Sequence, residues 1–105
     1  MPDADSSLDR ALNAIADRTR RRILRALKEG PVAARGAGKS GTMGPCLCAG
    51  DIEEKVQLSQ PTISHHMAIL TKAGLVEATK QGQWRWYRRN EKAIRQMVKR
   101  LRGRL

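Results

Sequence analysis

The chain has 105 residues, with 21 Lys plus Arg against 10 Asp plus Glu, a formal charge of +11. That length gives one domain with a small core; 40% hydrophobic residues are too many for a disordered basic tail, and the charge favours a polyanionic partner over a neutral metabolite. No stretch approaches the ~20 apolar residues of a membrane span, and "MPDADSSLDR" has no signal-peptide run, so a cytoplasmic protein is expected, whose two cysteines are no disulfide framework.

In chain order, Ser7 is the expected cap of a first helix. Leu8, Ala11, Leu12 and Ile15 form its apolar stripe. Asp17 caps a second, "RTRRRILRALKEG", with Ile23, Leu24 and Leu27 on one face, Gly30 as the stop and Pro31 forbidding continuation. Residues 31–45, "PVAARGAGKSGTMGP", are expected to be a flexible Gly-rich insert. "GAGKSG" within it suggests a phosphate loop, but the glycine needed five residues before Gly38 is Ala33, and no strand precedes it.

A third, short helix is expected to start at Asp51, with Glu54 completing a capping-box variant and Ile52 and Val56 facing inward. Val56, Gln57 and Leu58 are expected to form the turn into a fourth helix, "QPTISHHMAILTKAG". Ser59 is its cap, Pro61 sits in its first turn, and Ile63, Met67 and Leu70 form its inner stripe. The period then changes to two: "LVEATK" and "QWRWYRRN" flank an expected hairpin tip at Gln81-Gly82. The three aromatics, Trp84, Trp86 and Tyr87, all fall here. The two tryptophans are expected to close the small core beneath the hairpin, with base stacking as the alternative. A last helix carries Ala93, Ile94, Met97, Val98 and Leu101 on one stripe.

Residues 51–70 therefore fit a helix-turn-helix. With Leu58 in the corner and Ile63 and Leu70 anchoring the second helix, Gln60, Thr62, Ser64 and His65 are left to face outward. These are short polar groups suited to base edges in a major groove. The bland alternative is an antiparallel helix pair with a solvated face.

"ADRTRRRILRAL", "LSQPTISHHMAILTKAGLV" and "GQWRWYRRN" resemble the ArsR/SmtB family of winged-helix repressors over about residues 8–101, apart from the insert. The resemblance implies a mainly α winged helix-turn-helix with a two-stranded β-wing, in the order α-α-α-α-β-β-α. It also implies a homodimer joined through the first and last helices, bound to an inverted-repeat operator on double-stranded DNA and released by an inducer. The recognition positions carried over are Gln60, Thr62, Ser64 and His65; Lys80, Gln83 and Arg85 would be the wing residues nearest phosphate. Gln57 stands where relatives usually have Gly, and Glu53 where they often have Ala. A left-handed Gln57 costs up to about 1 kcal/mol.

Cys46 and Cys48 form a C-x-C beside the third helix. The helix dipole should favour thiolate there, and two thiolates suit As(III), Sb(III) or a soft divalent metal. The family's thiol segment resembles "CLCAGDI", although aligned on Asp51 only Cys48 matches its first cysteine. Binding at Cys46 and Cys48 is the expected inducing event. A reversible disulfide and two unremarkable thiols are the alternatives, and no cofactor is expected to be obligatory. His65 and His66 are assigned to DNA contact and to a buried hydrogen bond, not to zinc. No general base or cofactor motif accompanies the thiols, so the chain is not expected to be an enzyme.

Overall fold

The computed structural model describes residues 4–30 and 47–105. Its elements are α1 (Ala4–Ile15), α2 (Arg18–Glu29), β1 (Leu47–Cys48), α3 (Ala49–Val56), α4 (Gln60–Lys72), β2 (Val76–Gln81), β3 (Trp84–Arg89) and α5 (Glu91–Arg104). The expected insert lies outside the described residues, as does Cys46.

The helices form where apolar periodicity and capping agree. Asp17 caps α2, its carboxylate accepting from the Arg20 backbone N–H at 3.0 Å. Ser7 lies within α1 rather than at its cap; its exposed hydroxyl is tolerated in helical register. Ile23, Leu27, Ile52, Ile63, Met67 and Leu70 are fully buried in one cluster, joined by Leu8, Ala11 and Ala14 of α1.

α4 ends in a Schellman motif. Leu75 N–H donates to Leu70 O at 3.1 Å and Gly74 N–H to Thr71 O at 3.0 Å, with Gly74 at φ 79. Only glycine takes that conformation without a Cβ penalty. Leu75, fully buried, then packs into the core and hands the chain to β2. The "AGLV" segment thus fixes how the wing leaves the fourth helix.

The sheet has a strand more than the expected pair. β1 pairs antiparallel with β3, giving the order β1-β3-β2. Two residues are too few for an alternation signal. Gln81 pairs with Trp84, so the tip is Gly82-Gln83, one residue on from the expected position. Gly82 has φ 62, the positive value that a tight hairpin asks of its first tip residue.

The extra strand also decides which aromatics are buried. Trp86 and Tyr87 lie on opposite faces of β3, yet both are buried, Tyr87 in the main core and Trp86 in a second cluster with Cys48. Trp84, at 55% exposure, does not close the core. Among the described residues β1 pairs with Tyr87 and Trp86 and does not extend to Trp84.

Candidate nucleic-acid interface and thiol site

The two helices α3 and α4 are joined by Gln57, Leu58 and Ser59; Val56, expected in the turn, is the last helical residue. Gln57 takes the left-handed conformation, φ 60 and ψ 47, and its side chain donates to Glu54 O at 2.7 Å. Leu58 is half-buried against the core, which fixes the corner. Ser59 occupies the cap position of α4, but its hydroxyl meets the Thr62 hydroxyl at 3.0 Å instead of a helix N–H.

With Ile63, Met67 and Leu70 turned inward, the other face of α4 is free. Gln60, Ser64 and His65 are exposed, and Thr62 is half-buried beside Ser59. Lys80, Gln83 and Arg85 are exposed on the wing, and Lys80 pairs with Arg85 across the hairpin. The residues expected at a DNA surface therefore form two exposed groups on adjoining elements, connected by the Schellman turn.

Three arginines of α2 reach the ends of neighbouring helices. Arg20 donates from Nε to Ala14 O and from Nη2 to Asn13 O at 3.2 Å, and Arg21 donates to Ile15 O at 2.8 Å. Arg22 donates to Val56 O at 2.9 Å. These carbonyls lie at the C-terminal ends of α1 and α3, where a cation also meets the negative end of the helix dipole. Arg88 is paired with Glu77 across the hairpin at 2.8 Å, and Arg89 with Glu91 at 2.8 Å. Sequence reasoning missed these roles because the carbonyls lie on other elements.

The thiol at Cys48 also departs from expectation. α3 begins at Ala49 with Cys48 as its cap residue, so Asp51 is the third helical residue rather than the cap. The Asp51 carboxylate, 5% exposed, reaches back to the Cys48 backbone N–H at 3.2 Å and accepts from Cys48 Sγ at 3.1 Å. The spacing of Cys48 and Asp51 is that of a capping box, the signal by which the earlier start could have been found. Burial pushes the Cys48 pKa up; the backbone N–H groups of Asp51 and Gly50 pull it down, while the side-chain hydrogen bond to Asp51 and the negative charge of that carboxylate raise it. Desolvation outweighs the helix end, so Cys48 is a protonated thiol at neutral pH rather than the expected thiolate.

Among the described residues no three His, Cys, Asp or Glu converge on a possible metal position. The described half of the C-x-C is therefore not a ready ligand: Sγ has to lose its proton and leave Asp51 before it can coordinate. His66 is half-buried and meets Arg20 Nη1 at 3.3 Å through Nδ1, close to the hydrogen-bonding role expected of it.

Known proteins resemble this arrangement. The family model described as "Bacterial regulatory protein, arsR family" matches residues 42–78. An uncharacterized HTH-type transcriptional regulator of Methanocaldococcus jannaschii is 37% identical over 86 residues, covering 82% of this chain and 81% of that one. The transcriptional repressor SdpR of Bacillus subtilis is 32% identical over 91 residues, covering 87% and 84%. An arsenical resistance operon repressor of Staphylococcus aureus is 42% identical over 55 residues, covering 52% and 53%. The solution structure of a homodimeric winged helix-turn-helix DNA-binding domain from Mycobacterium bovis superposes with a TM-score of 0.69 at 22% identity, covering 90% of this chain and 74% of that one. With an ordered wing, a helix-turn-helix whose second helix has a free polar face, and relatives matched over most of their length, the chain belongs to the arsR family: it is a winged helix-turn-helix transcriptional repressor that binds DNA, and not an enzyme.

Proposed function

We propose that the protein acts as a homodimer on an inverted-repeat operator, with the N-terminal half of α4 from each subunit in successive major grooves and the wing against neighbouring phosphates. The observation that carries this reading is the exposed polar face of α4, Gln60, Ser64 and His65, held over a stripe that is fully buried. Short polar side chains on a rigid helix discriminate base edges, whereas Lys80 and Arg85 neutralise phosphate on any sequence. Dimerisation is supported by the apolar surface left on the first and last helices. Leu12, Ile15, Ile94 and Leu101 are only partly buried, and Val98 is 55% exposed. A second copy packed there would set the two α4 helices about one duplex turn, or a multiple, apart. Competition between the operator duplex and random duplex tests this reading. A clear preference for the inverted repeat is expected, and equal affinity overturns it.

The inducer we propose is a thiophilic species, arsenite, antimonite or a soft divalent metal, engaging Cys46 and Cys48. The position of Cys48 supports this: it caps α3, the first helix of the reading motif, and pairs with Trp86 at the base of the wing. The name of the Staphylococcus aureus relative is consistent with it. Ligation has to draw Sγ away from Asp51, which would disturb the start of α3. A coupling of about 1–3 kcal/mol changes operator affinity by roughly 5- to 150-fold. The test is operator release by arsenite, antimonite, Cd(II), Zn(II) and an oxidant, on the wild type and on Cys46→Ser and Cys48→Ser. Loss of response to the metalloid or metal in both variants is expected. Release of both variants as in the wild type removes the thiol from the mechanism, and release by oxidant alone makes it a redox switch.

A further inference from the structure

The contact between α2 and the recognition helix has a polarity that can be worked out from its atoms. Arg20 carries only donors. Its Nε and Nη2 are taken by the carbonyls of Ala14 and Asn13 at the end of α1. Nη1 lies 3.3 Å from His66 Nδ1, so Nδ1 has to be the acceptor and the ring proton has to sit on Nε2. One guanidinium thus ties the end of α1 to the middle of α4, through a histidine that is neutral in this arrangement.

We propose that the Arg20–His66 hydrogen bond is a brace that sets the orientation of α4, and that a solvent proton added to Nδ1 breaks it and weakens the grip on DNA. The inference rests on the reading of α4 as the recognition helix. His66 follows directly on His65, one of the exposed groups of that face, and their rings lie 5.3 Å apart edge to face. A shift that moves His66 therefore moves the reading face with it. Protonation places two donors and two positive charges opposite one another at this contact. Asp17, beside Arg20 at 3.9 Å, opposes that repulsion. Arg10 of α1 and Lys72 of α4 line the same cavity as Arg20 and add positive charge to the neighbourhood.

The balance of these groups is against the imidazolium. Burial lowers the His66 pKa from 6.5; Asp17 raises it, while Arg20 and His65 lower it further. The unfolded histidine therefore binds its proton first as pH falls. The stabilising contribution of neutral His66 is complete well above 6.5, is lost as pH falls from there through the depressed folded value, and changes no further below it.

The test has a part without DNA and a part with it. Imidazole nitrogen NMR at about pH 8 should show His66 protonated on Nε2 only; a proton on Nδ1 overturns the brace whatever DNA binding does. Operator affinity is then followed between about pH 8 and about pH 5.5 in a His65→Gln background, which keeps a polar group on the reading face and leaves His66 as the only imidazole of the chain. His66→Gln keeps an acceptor for Arg20 and cannot titrate, so it should bind like its parent at the upper pH and show little change on acidification. His66→Leu has no acceptor and should bind about five- to tenfold more weakly at the upper pH. The parent should weaken by a similar factor as the pH falls. Equal affinities of the Gln and Leu variants at the upper pH, or a Gln variant that titrates like its parent, overturn the proposal. If no variant or wild type prefers operator DNA while NMR shows the expected tautomer, the recognition reading fails and the brace does not.

Discussion

At the scale of single residues, the clearest departure from backbone preference is Gln57. A left-handed Gln costs up to about 1 kcal/mol relative to glycine, and its bond to the Glu54 carbonyl lies at the surface and offsets only part of that. Gln57→Gly should therefore raise the stability by about 0.5–1 kcal/mol, read as a higher urea midpoint with unchanged slope. A loss of stability would show that the side-chain bond outweighs the strain. The left-handed position was legible because the turn needs it and relatives usually put glycine there. Cys48 was misjudged for the opposite reason. Its helix-end position is plain in the sequence, but its burial depends on β1 and Trp86, which meet only in the fold. Cys48 should accordingly react with iodoacetamide more slowly than free cysteine at neutral pH; a faster rate would restore the thiolate.

At the scale of elements, the seven helices and strands with periodicity or caps were readable, and the arginine run was not. "TRRRI" looks like a cationic face, yet Arg20, Arg21 and Arg22 close the ends of α1 and α3. This separates two kinds of basic residue by experiment. Arg22→Ala should lower stability by a few tenths to about 1 kcal/mol and leave the salt dependence of DNA binding unchanged. Lys80→Ala and Arg85→Ala should each reduce the slope of log affinity against log salt by about 1, with little effect on folding. A reduced slope in Arg22→Ala would place that residue at phosphate instead. The wing shows the same division. Alternation along β3 puts Trp84 and Trp86 on one face, but the third strand decides that Trp86 is covered and Trp84 is not.

At the scale of the whole molecule, one small core holds the reading surface in place. Ile63 is fully buried beneath the exposed residues of α4. Ile63→Ala should cost about 2–5 kcal/mol, a large part of the roughly 5–15 kcal/mol available to a domain, and a thermal or urea melt will show whether the variant still folds. A cost under about 1 kcal/mol would mean that α4 is not anchored through this stripe. Whether α4 reads the DNA sequence is decided by the ratio of operator to random-duplex affinity for the wild type and for Gln60→Ala/Ser64→Ala/His65→Ala, at one salt concentration. The ratio should collapse toward unity in the triple variant while its random-duplex affinity stays near that of the wild type; an undiminished ratio in a folded triple variant would contradict the assignment of α4 as the element that reads DNA.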